Sequence, residues 1–261
     1  MPTIAVVSMK GGVGKTSVVL GLASAAWHRQ DRCLVVDLDP QANATAALDV
    51  LAPAFTSSDV IADGRPGIAE QAITPAGWGG SISVLAAEPS LEHRQVPTGP
   101  NSALRLRTTL AGVPRAYDLV LIDTPPSLGE LTRNALSCAH LALIVTEPGY
   151  FALRGAAQAA QAVDIIREAT NPHLRLGGVL VNRRRPHGHE HDLRIAELRE
   201  YFGAAVYPHV VPEADVIAAV QGAGIPLHAW SSPTARELQN VFDALLDDLT
   251  APQAPAARTT G

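Results

Sequence analysis

Short, continuous apolar runs recur along the chain and are separated by longer stretches with apolar residues at helical spacing. The runs that predict strands are 3–8, 33–37, 82–86, 119–123, 141–146, 176–181, 205–207 and 210–211. The stretches that predict helices are 15–30, 102–112, 130–138, 152–170, 190–202, 213–221 and 233–249. Runs without polar alternation are typical of strands buried on both faces. The pattern therefore predicts an α/β fold: a single-domain, mostly parallel twisted sheet with helices on both faces.

Two segments depart from this alternation. Residues 52–80 are rich in Pro, Gly, Ser and Ala and are predicted to form short helices and loops at the periphery. Residues 250–261 contain no core-forming side chain and are predicted to be a disordered tail, so that the folded domain spans 1–249. The tail lacks the basic face and large apolar residues of an amphipathic membrane helix. No run reaches the roughly 18 apolar residues of a membrane span, so we expect no membrane attachment and a cytoplasmic protein.

The composition favours a globular protein with a large core, since 47% of the 261 residues are hydrophobic and 17% are charged. A net charge of −5 argues against a surface coated in positive charge for nucleic acid, although not against a local basic patch. Cys33 and Cys138 are too few for a disulfide scaffold or a four-thiolate zinc site. Both are predicted to be buried structural residues.

Only two of the 20 basic residues are lysines, and both lie in one glycine-rich stretch. The excess of arginine is most simply a coding bias. Lys10 and Lys15 nevertheless stand where a compact ammonium fits between backbone amides and phosphates, and a planar guanidinium could not replace it. The composition therefore directs attention to residues 10–16.

This glycine-rich stretch follows the first predicted strand and precedes the first predicted helix, which is the setting of a phosphate-binding loop. Its residues are Lys10, Gly11, Gly12, Val13, Gly14, Lys15, Thr16 and Ser17. Glycines allow successive backbone amides to turn toward phosphate oxygens, and the helix amino terminus adds its partial positive charge. We predict that Lys15 reaches the β- and γ-phosphates of a nucleotide and that the Thr16 hydroxyl binds Mg²⁺.

The stretch KGGVGKTS resembles the deviant phosphate loop of the ParA/MinD family of ATPases, and Lys10 matches the signature lysine of that family. The resemblance extends from residue 3 to about residue 249 and implies the P-loop NTPase fold of these proteins. It implies ATP and Mg²⁺ as cofactors. It also implies an ATP-dependent homodimer in which Lys10 reaches the nucleotide of the partner subunit. By the same resemblance, Lys10, Lys15 and Asp39 are the candidate catalytic residues.

Two acidic motifs follow in the order that the family implies. Residues 37–43, DLDPQAN, resemble the family's switch, in which Asp39 positions or deprotonates the attacking water and Asp37 supports the loop. Residues 121–127, LIDTPPS, resemble the second acidic motif. Asp123 then ends an apolar strand, where a carboxylate suits Mg²⁺ through a bridging water. The candidate metal residues are Thr16, Asp39 and Asp123.

The resemblance also covers the base of the nucleotide. Asn182 matches the strand-end asparagine that hydrogen-bonds adenine, and Pro212 matches the loop that packs against the base. An asparagine after a strand is also a common turn residue, so a structural role stays open for Asn182.

The stretch 183–191 admits three interpretations, of which the simplest is a solvated loop. A metal site would use His187, His189 and His191. A DNA contact that neutralises phosphates without recognising sequence would use Arg183, Arg184 and Arg185. A flexible loop containing glycine disfavours the metal site. The acidic and apolar residues 213–217 stand where many ParA proteins carry arginines, which weighs against DNA binding.

These features together predict an ATP-switched partition ATPase. Mg·ATP would drive dimerisation, the dimer would bind nonspecific DNA on the nucleoid, and a ParB-like or other cargo adaptor would stimulate hydrolysis. One alternative is a MinD-like positioning ATPase that cycles on a membrane or protein surface, against which the tail composition argues. Another is a metabolic or metallochaperone ATPase of the same superfamily, against which the switch motif and the unpaired spacing of Cys33 and Cys138 argue.

Overall fold

The computed structural model describes residues 2–186 and 188–251. Eight strands within these residues form one sheet. They are β1 Thr3–Val7, β2 Cys33–Asp37, β3 Ile73–Pro75, β4 Ile82–Leu85, β5 Leu119–Asp123, β6 Leu141–Thr146, β7 Arg175–Arg184 and β8 Val206–Pro212. Their order across the sheet is β3-β4-β2-β5-β1-β6-β7-β8.

Every neighbouring pair in the described sheet is parallel except β3 and β4, which run antiparallel. The predicted mostly parallel sheet is therefore confirmed. Parallel strands bring their carboxyl ends to one edge, and the register places the last residues of β2 and β5, Asp37 and Asp123, side by side. The two acidic motifs meet there because of this pairing.

Nine α-helices connect or flank these strands in the described residues. They are α1 Lys15–Arg29, α2 Asn43–Ala47, α3 Ser57–Asp63, α4 Arg105–Thr109, α5 Glu130–Cys138, α6 Ala152–Ala169, α7 His189–Phe202, α8 Asp215–Ala223 and α9 Pro233–Thr250. Short 3-10 turns are Ile68–Gln71, Pro89–Arg94, Ser102–Leu104, Val113–Ala116, Gly203–Ala205 and Leu227–Ala229. Within the described part of the chain, no helix is long and apolar enough to cross a membrane.

Helices cover both faces of the sheet, as predicted. Along β1, Ile4 and Val6 face a core shared with α1 and α9, whereas Ala5 and Val7 face a second core shared with α5 and α6. The α1–α9 contact is close, because a methyl group added at Gly21 would collide with the ring of Phe242.

The structure differs from the sequence prediction in several places, and β7 continues three residues past its predicted end at 181, to Arg184. Segment 52–80 contains α3 but also the antiparallel strand β3, which is too short to give a periodic signal. The predicted helix 102–112 is a 3-10 turn followed by the single-turn α4, and α8 begins two residues later than predicted. Strand β8 continues through Pro208 without interruption.

The predicted tail lies mainly outside the described residues. Helix α9 includes Thr250, the first residue assigned to the tail, and Ala251 follows it. Residues 252–261 are outside the described part of the chain.

The two outer strands of the sheet both contain proline. Strand β3 ends at Pro75, whereas β8 contains Pro208 and ends at Pro212. A proline has no backbone N–H to donate to a neighbouring strand.

Candidate nucleotide site

The glycine-rich stretch forms the loop between β1 and α1. Gly12 and Gly14 have φ values of 80° and 85°, a region that side chains with a Cβ adopt rarely, and α1 begins directly after Gly14. A cavity of about 490 Å³ opens beside the loop and is lined by its glycines together with Lys15, Thr16, Asp39 and others. A loop at the amino terminus of a 15-residue helix, next to a cavity, fits an anion.

Lys15 is almost fully buried at the base of this cavity, with 6% of its surface exposed. Burial lowers the pKa of the Lys15 ammonium, and the nearby carboxylates of Asp123 and Asp39 oppose that shift. The ammonium is therefore poorly solvated and surrounded by groups that favour its charged form. Bound phosphates would add further negative charge at this position.

Thr16 and Asp123 form a pair at the bottom of the loop. The Thr16 hydroxyl donates to Asp123 Oδ2 at 2.7 Å, and Asp123 is completely buried. Its other oxygen, Oδ1, has no hydrogen-bond partner among the described residues. Burial, followed by the neighbouring charge of Asp37, raises the pKa of the Asp123 carboxyl. An unpartnered buried carboxylate oxygen beside a hydroxyl is the donor set that Mg²⁺ prefers, so these residues fit the ion.

The two aspartates of the switch have different surroundings. Asp37 accepts hydrogen bonds from Thr45 N, Thr45 Oγ1 and Asp39 N at 2.8–3.0 Å. Burial raises the pKa of the Asp37 carboxyl, and the bonds from Thr45 oppose that shift. Asp39 lines the cavity and uses Oδ1 to accept from Gln41 N at 3.0 Å. Asp37 thus ties the loop together, whereas Asp39 faces the space where a nucleotide would bind.

Lys10 does not line this cavity. Its ammonium pairs with the carboxylate of Glu147, at the start of the loop after β6, and 59% of its side chain is exposed. It lines a separate, largely apolar cavity of about 370 Å³ together with Tyr150 and Phe151. The two lysines, five positions apart in the chain, therefore have different environments.

Asn182 lies near the end of β7 and reaches the phosphate loop. Its Nδ2 donates to the Val13 carbonyl at 2.7 Å, and the residue is 2% exposed. The Oδ1 atom has no partner within the part of the chain that the structure describes. A Cβ at Gly14 would collide with the Asn182 amide, so this contact requires glycine there.

Pro212 ends β8 and pairs in register with Arg184 of β7. This places it beside the strand end that carries Asn182, without making it part of the cavity lining.

The three consecutive arginines do not form one surface. Arg184 Nη2 donates to Asp192 at 2.7 Å, and Arg185 Nε donates to Glu213 at 2.7 Å, both on exposed side chains. Arg183 Nη1 instead donates to the Gly12 carbonyl at 2.6 Å and lines the nucleotide cavity.

The remaining candidates do not converge on a site. His187 lies outside the described residues, and no group of three metal-binding side chains occurs among those that are described. Cys33 is fully buried and Cys138 partly buried, and burial raises the pKa of both thiols.

Three contacts around the phosphate loop are not predicted from the sequence, which indicates Arg183 only as a possible DNA contact. Glu147 pairs with Lys10 across 137 positions, Gln221 Nε2 donates to Ser17 Oγ at 3.1 Å, and Arg183 turns toward the cavity. All three contacts depend on how the loop after β6, the end of β7 and helix α8 approach the phosphate loop, which local spacing does not specify.

Comparison with known proteins identifies the family. A family model described as an AAA domain matches residues 1–176. The chromosome-partitioning ATPase Soj of Thermus thermophilus is 34% identical over 257 residues, which cover 93% of this chain and 94% of that protein. The chain belongs to the ParA/MinD family of ATPases.

Solved structures agree with the ParA/MinD fold. An ATP complex of a single-residue variant of Cyanothece McdA superposes with a TM-score of 0.86 at 20% identity, covering 98% of each chain. Cobyrinic acid a,c-diamide synthase of Mycobacterium smegmatis, solved with bound ADP and magnesium, gives a TM-score of 0.79 at 25% identity, covering 97% of each chain. The fold class predicted from the sequence is confirmed by these neighbours.

Proposed function

We propose that this protein is a ParA-type partition ATPase that binds Mg·ATP beside the phosphate loop and hydrolyses it to ADP and phosphate. The observation that carries the proposal is the hydrogen bond from Thr16 to the buried Asp123 next to Lys15, with one carboxylate oxygen left without a described partner. The likeness to Soj supports the partition class, and relatives with bound ATP, or ADP and magnesium, support the ligand.

Each side chain around the cavity then has a role in binding or hydrolysis. The amides of residues 11–17 and the Lys15 ammonium bind phosphate oxygens, while Thr16 and Asp123 hold Mg²⁺, with Asp39 close by. Bound Mg²⁺ neutralises charge on the β- and γ-phosphates. Asp39 orients the attacking water and accepts its proton, because its carboxylate faces the cavity whereas Asp37 is held by the loop.

The base is proposed to lie against the end of β7. The unpartnered Oδ1 of Asn182 accepts a hydrogen bond from the adenine amino group, and Pro212 packs against the ring. Guanine presents a carbonyl where adenine presents the amino group, so the same oxygen disfavours guanine.

ATP is proposed to drive dimerisation through Lys10. In the isolated chain Lys10 pairs with Glu147. An exposed pair of this kind contributes only about 0–1 kcal/mol, so Lys10 can exchange Glu147 for the phosphates of a partner subunit's nucleotide. The dimer of domains 1–249 then binds nonspecific duplex DNA, with the exposed Arg184 and Arg185 as contacts, and a ParB-like or other cargo adaptor stimulates hydrolysis on the nucleoid.

The test combines phosphate release, light scattering and mobility shift on random-sequence duplex DNA. We expect Mg·ATP to double the mass, and the DNA shift to require ATP and to weaken steeply with salt. Arg184→Ala with Arg185→Ala should weaken the shift while nucleotide affinity stays unchanged. A dimer that gives no shift at low salt would contradict the DNA step and favour a MinD-like role on a protein or membrane surface. Turnover without an ATP-dependent dimer would favour a metabolic ATPase.

A further inference from the structure

Arg183 differs from the two arginines that follow it. The side chains of Arg184 and Arg185 pair with Asp192 and Glu213 on the surface, whereas the Arg183 guanidinium lies over the phosphate loop. It lines the same cavity as Lys15 and Asp39. Arg183 is exposed like the surface arginines, but unlike them it borders the nucleotide cavity.

The backbone explains this position. Successive side chains of a regular strand point to opposite faces, so Asn182 and Arg183 would normally diverge. Arg183 instead adopts φ 58°, and the β7–β8 pairing shifts register between Val181 and Arg184. Such an irregularity redirects a side chain, and here it brings both residues to the phosphate loop.

The conformation of Arg183 is an unfavourable one for an arginine. The left-handed region brings the Cβ of such a residue close to its own backbone, and strain of this kind concentrates at binding sites. The strained backbone conformation of Arg183 directs its positively charged side chain to the adjacent cavity.

The hydrogen-bonding capacity of Arg183 is mostly unused. A guanidinium has five N–H donors, and among the described residues Arg183 makes one side-chain hydrogen bond, to the Gly12 carbonyl. The other donors stand beside a loop whose amides bind anions. Planar guanidinium groups recognise phosphate through two parallel hydrogen bonds.

We propose that Arg183 binds the phosphate chain of the nucleotide held by its own subunit's phosphate loop, as a second cation beside Lys15. This assignment rests on the proposed function, because it presupposes that a nucleotide occupies the cavity. Arg183 exchanges its bond to Gly12 for phosphate oxygens, and it is separate from the Arg184–Arg185 surface pair.

The test measures ADP and AMP-PNP affinity by calorimetry for the full chain with Arg183→Asn. Asparagine tolerates the left-handed region, so the variant removes the guanidinium without adding strain. We expect affinity to fall about 10- to 100-fold, as for loss of a charged hydrogen bond. Arg183→Lys should recover part of that loss. Arg175→Asn, at the exposed opposite end of β7, is the matched control and should bind as wild type.

A second readout separates a phosphate contact from a merely structural effect. Loss of one cation–phosphate contact should lower the dependence of ADP affinity on salt concentration, and the melting temperature without nucleotide should stay near wild type. Arg183→Gly should reproduce both results if Arg183→Asn folds poorly. Affinity within twofold of wild type, or weaker binding with unchanged salt dependence, would overturn the assignment. Wild-type protein that binds neither nucleotide would instead overturn the proposed function itself.

Discussion

The two sides of the nucleotide cavity are built in different ways. On the β1–β2–β5 side, the buried Asp37 and Asp123 end adjacent strands in register, and they accept short hydrogen bonds from Thr45 of α2 and Thr16 of α1. On the β7 side, Asn182 and Arg183 reach the loop from a strained strand end, across about 170 positions of chain, and retain unused hydrogen-bonding atoms.

The carboxylate side is therefore the more rigid of the two, and the β7 side is the more able to rearrange around a ligand. The carboxylate side holds its geometry through the regular register of parallel strands, so its side chains are positioned before any ligand binds. The β7 side depends on a strand irregularity and on contacts that a ligand can replace. We therefore expect substitutions on the first side to abolish Mg²⁺ binding or hydrolysis, and substitutions on the second to lower nucleotide affinity by smaller factors.

The largest expected effect is loss of nucleotide binding in Lys15→Ala, because its ammonium is the buried cation of the phosphate loop. Calorimetry with ADP should detect no binding at concentrations that saturate the wild type. Lys10→Ala is the matched control within the same loop, and we expect it to bind ADP but to lose hydrolysis and the ATP-dependent dimer. Hydrolysis at the wild-type rate in Lys10→Ala would falsify its cross-subunit role.

Asp39→Ala should keep ATP and Mg²⁺ bound while hydrolysis slows by about 10²- to 10⁴-fold, which is roughly 3–5 kcal/mol of barrier. The variant should accumulate as a dimer of doubled mass in light scattering, whereas the wild type returns to monomer as ATP is consumed. Asp123→Ala should lose Mg²⁺ and the dimer together. A monomeric Asp39→Ala protein in saturating Mg·ATP would leave Asp39 a structural residue of the switch.

Gly14 of the phosphate loop contacts Asn182 of the β7 side. Its substitution therefore tests how closely the loop and β7 pack together. Gly14→Ala places a Cβ in the left-handed region and against the Asn182 amide, with an expected loss of about 2–5 kcal/mol in unfolding free energy. Gly12→Ala shares the positive φ but meets no described atom within 4 Å, and should lose only about 1–2 kcal/mol. Urea unfolding without nucleotide measures the unfolding free energy of both variants. Equal losses would show that the Asn182 side chain can move away from the added Cβ at little cost.

The smallest effect is expected for Asn182→Ala, which would remove the proposed hydrogen bond to the base. The affinity for ATP should fall by about 1–2 kcal/mol, or roughly 5- to 30-fold, with little change for GTP. Competition between ATP and GTP measures the ratio. If both affinities fall equally, Asn182 supports the phosphate loop through Val13 and does not recognise the base.

The sequence predicted the carboxylate side better than the β7 side for a physical reason. Lys15 and Thr16 begin the helix that follows β1, and Asp123 ends the neighbouring strand β5, so local order and strand pairing suffice to bring them together. The direction of Arg183 depends on one dihedral angle and a register shift, and the pairing of Lys10 with Glu147 depends on two distant loops. Neither of these two features produces a periodic pattern in the sequence. Strand β3 was missed because three residues carry no period.

The prolines on the outer strands bear on how copies of this chain can assemble. An open strand edge is a template for further strands, and it can join molecules into aggregates. Here β3 is only three residues long and ends at Pro75, and β8 lacks donors at Pro208 and Pro212. Continuous ribbons of sheet between molecules are therefore disfavoured at both margins.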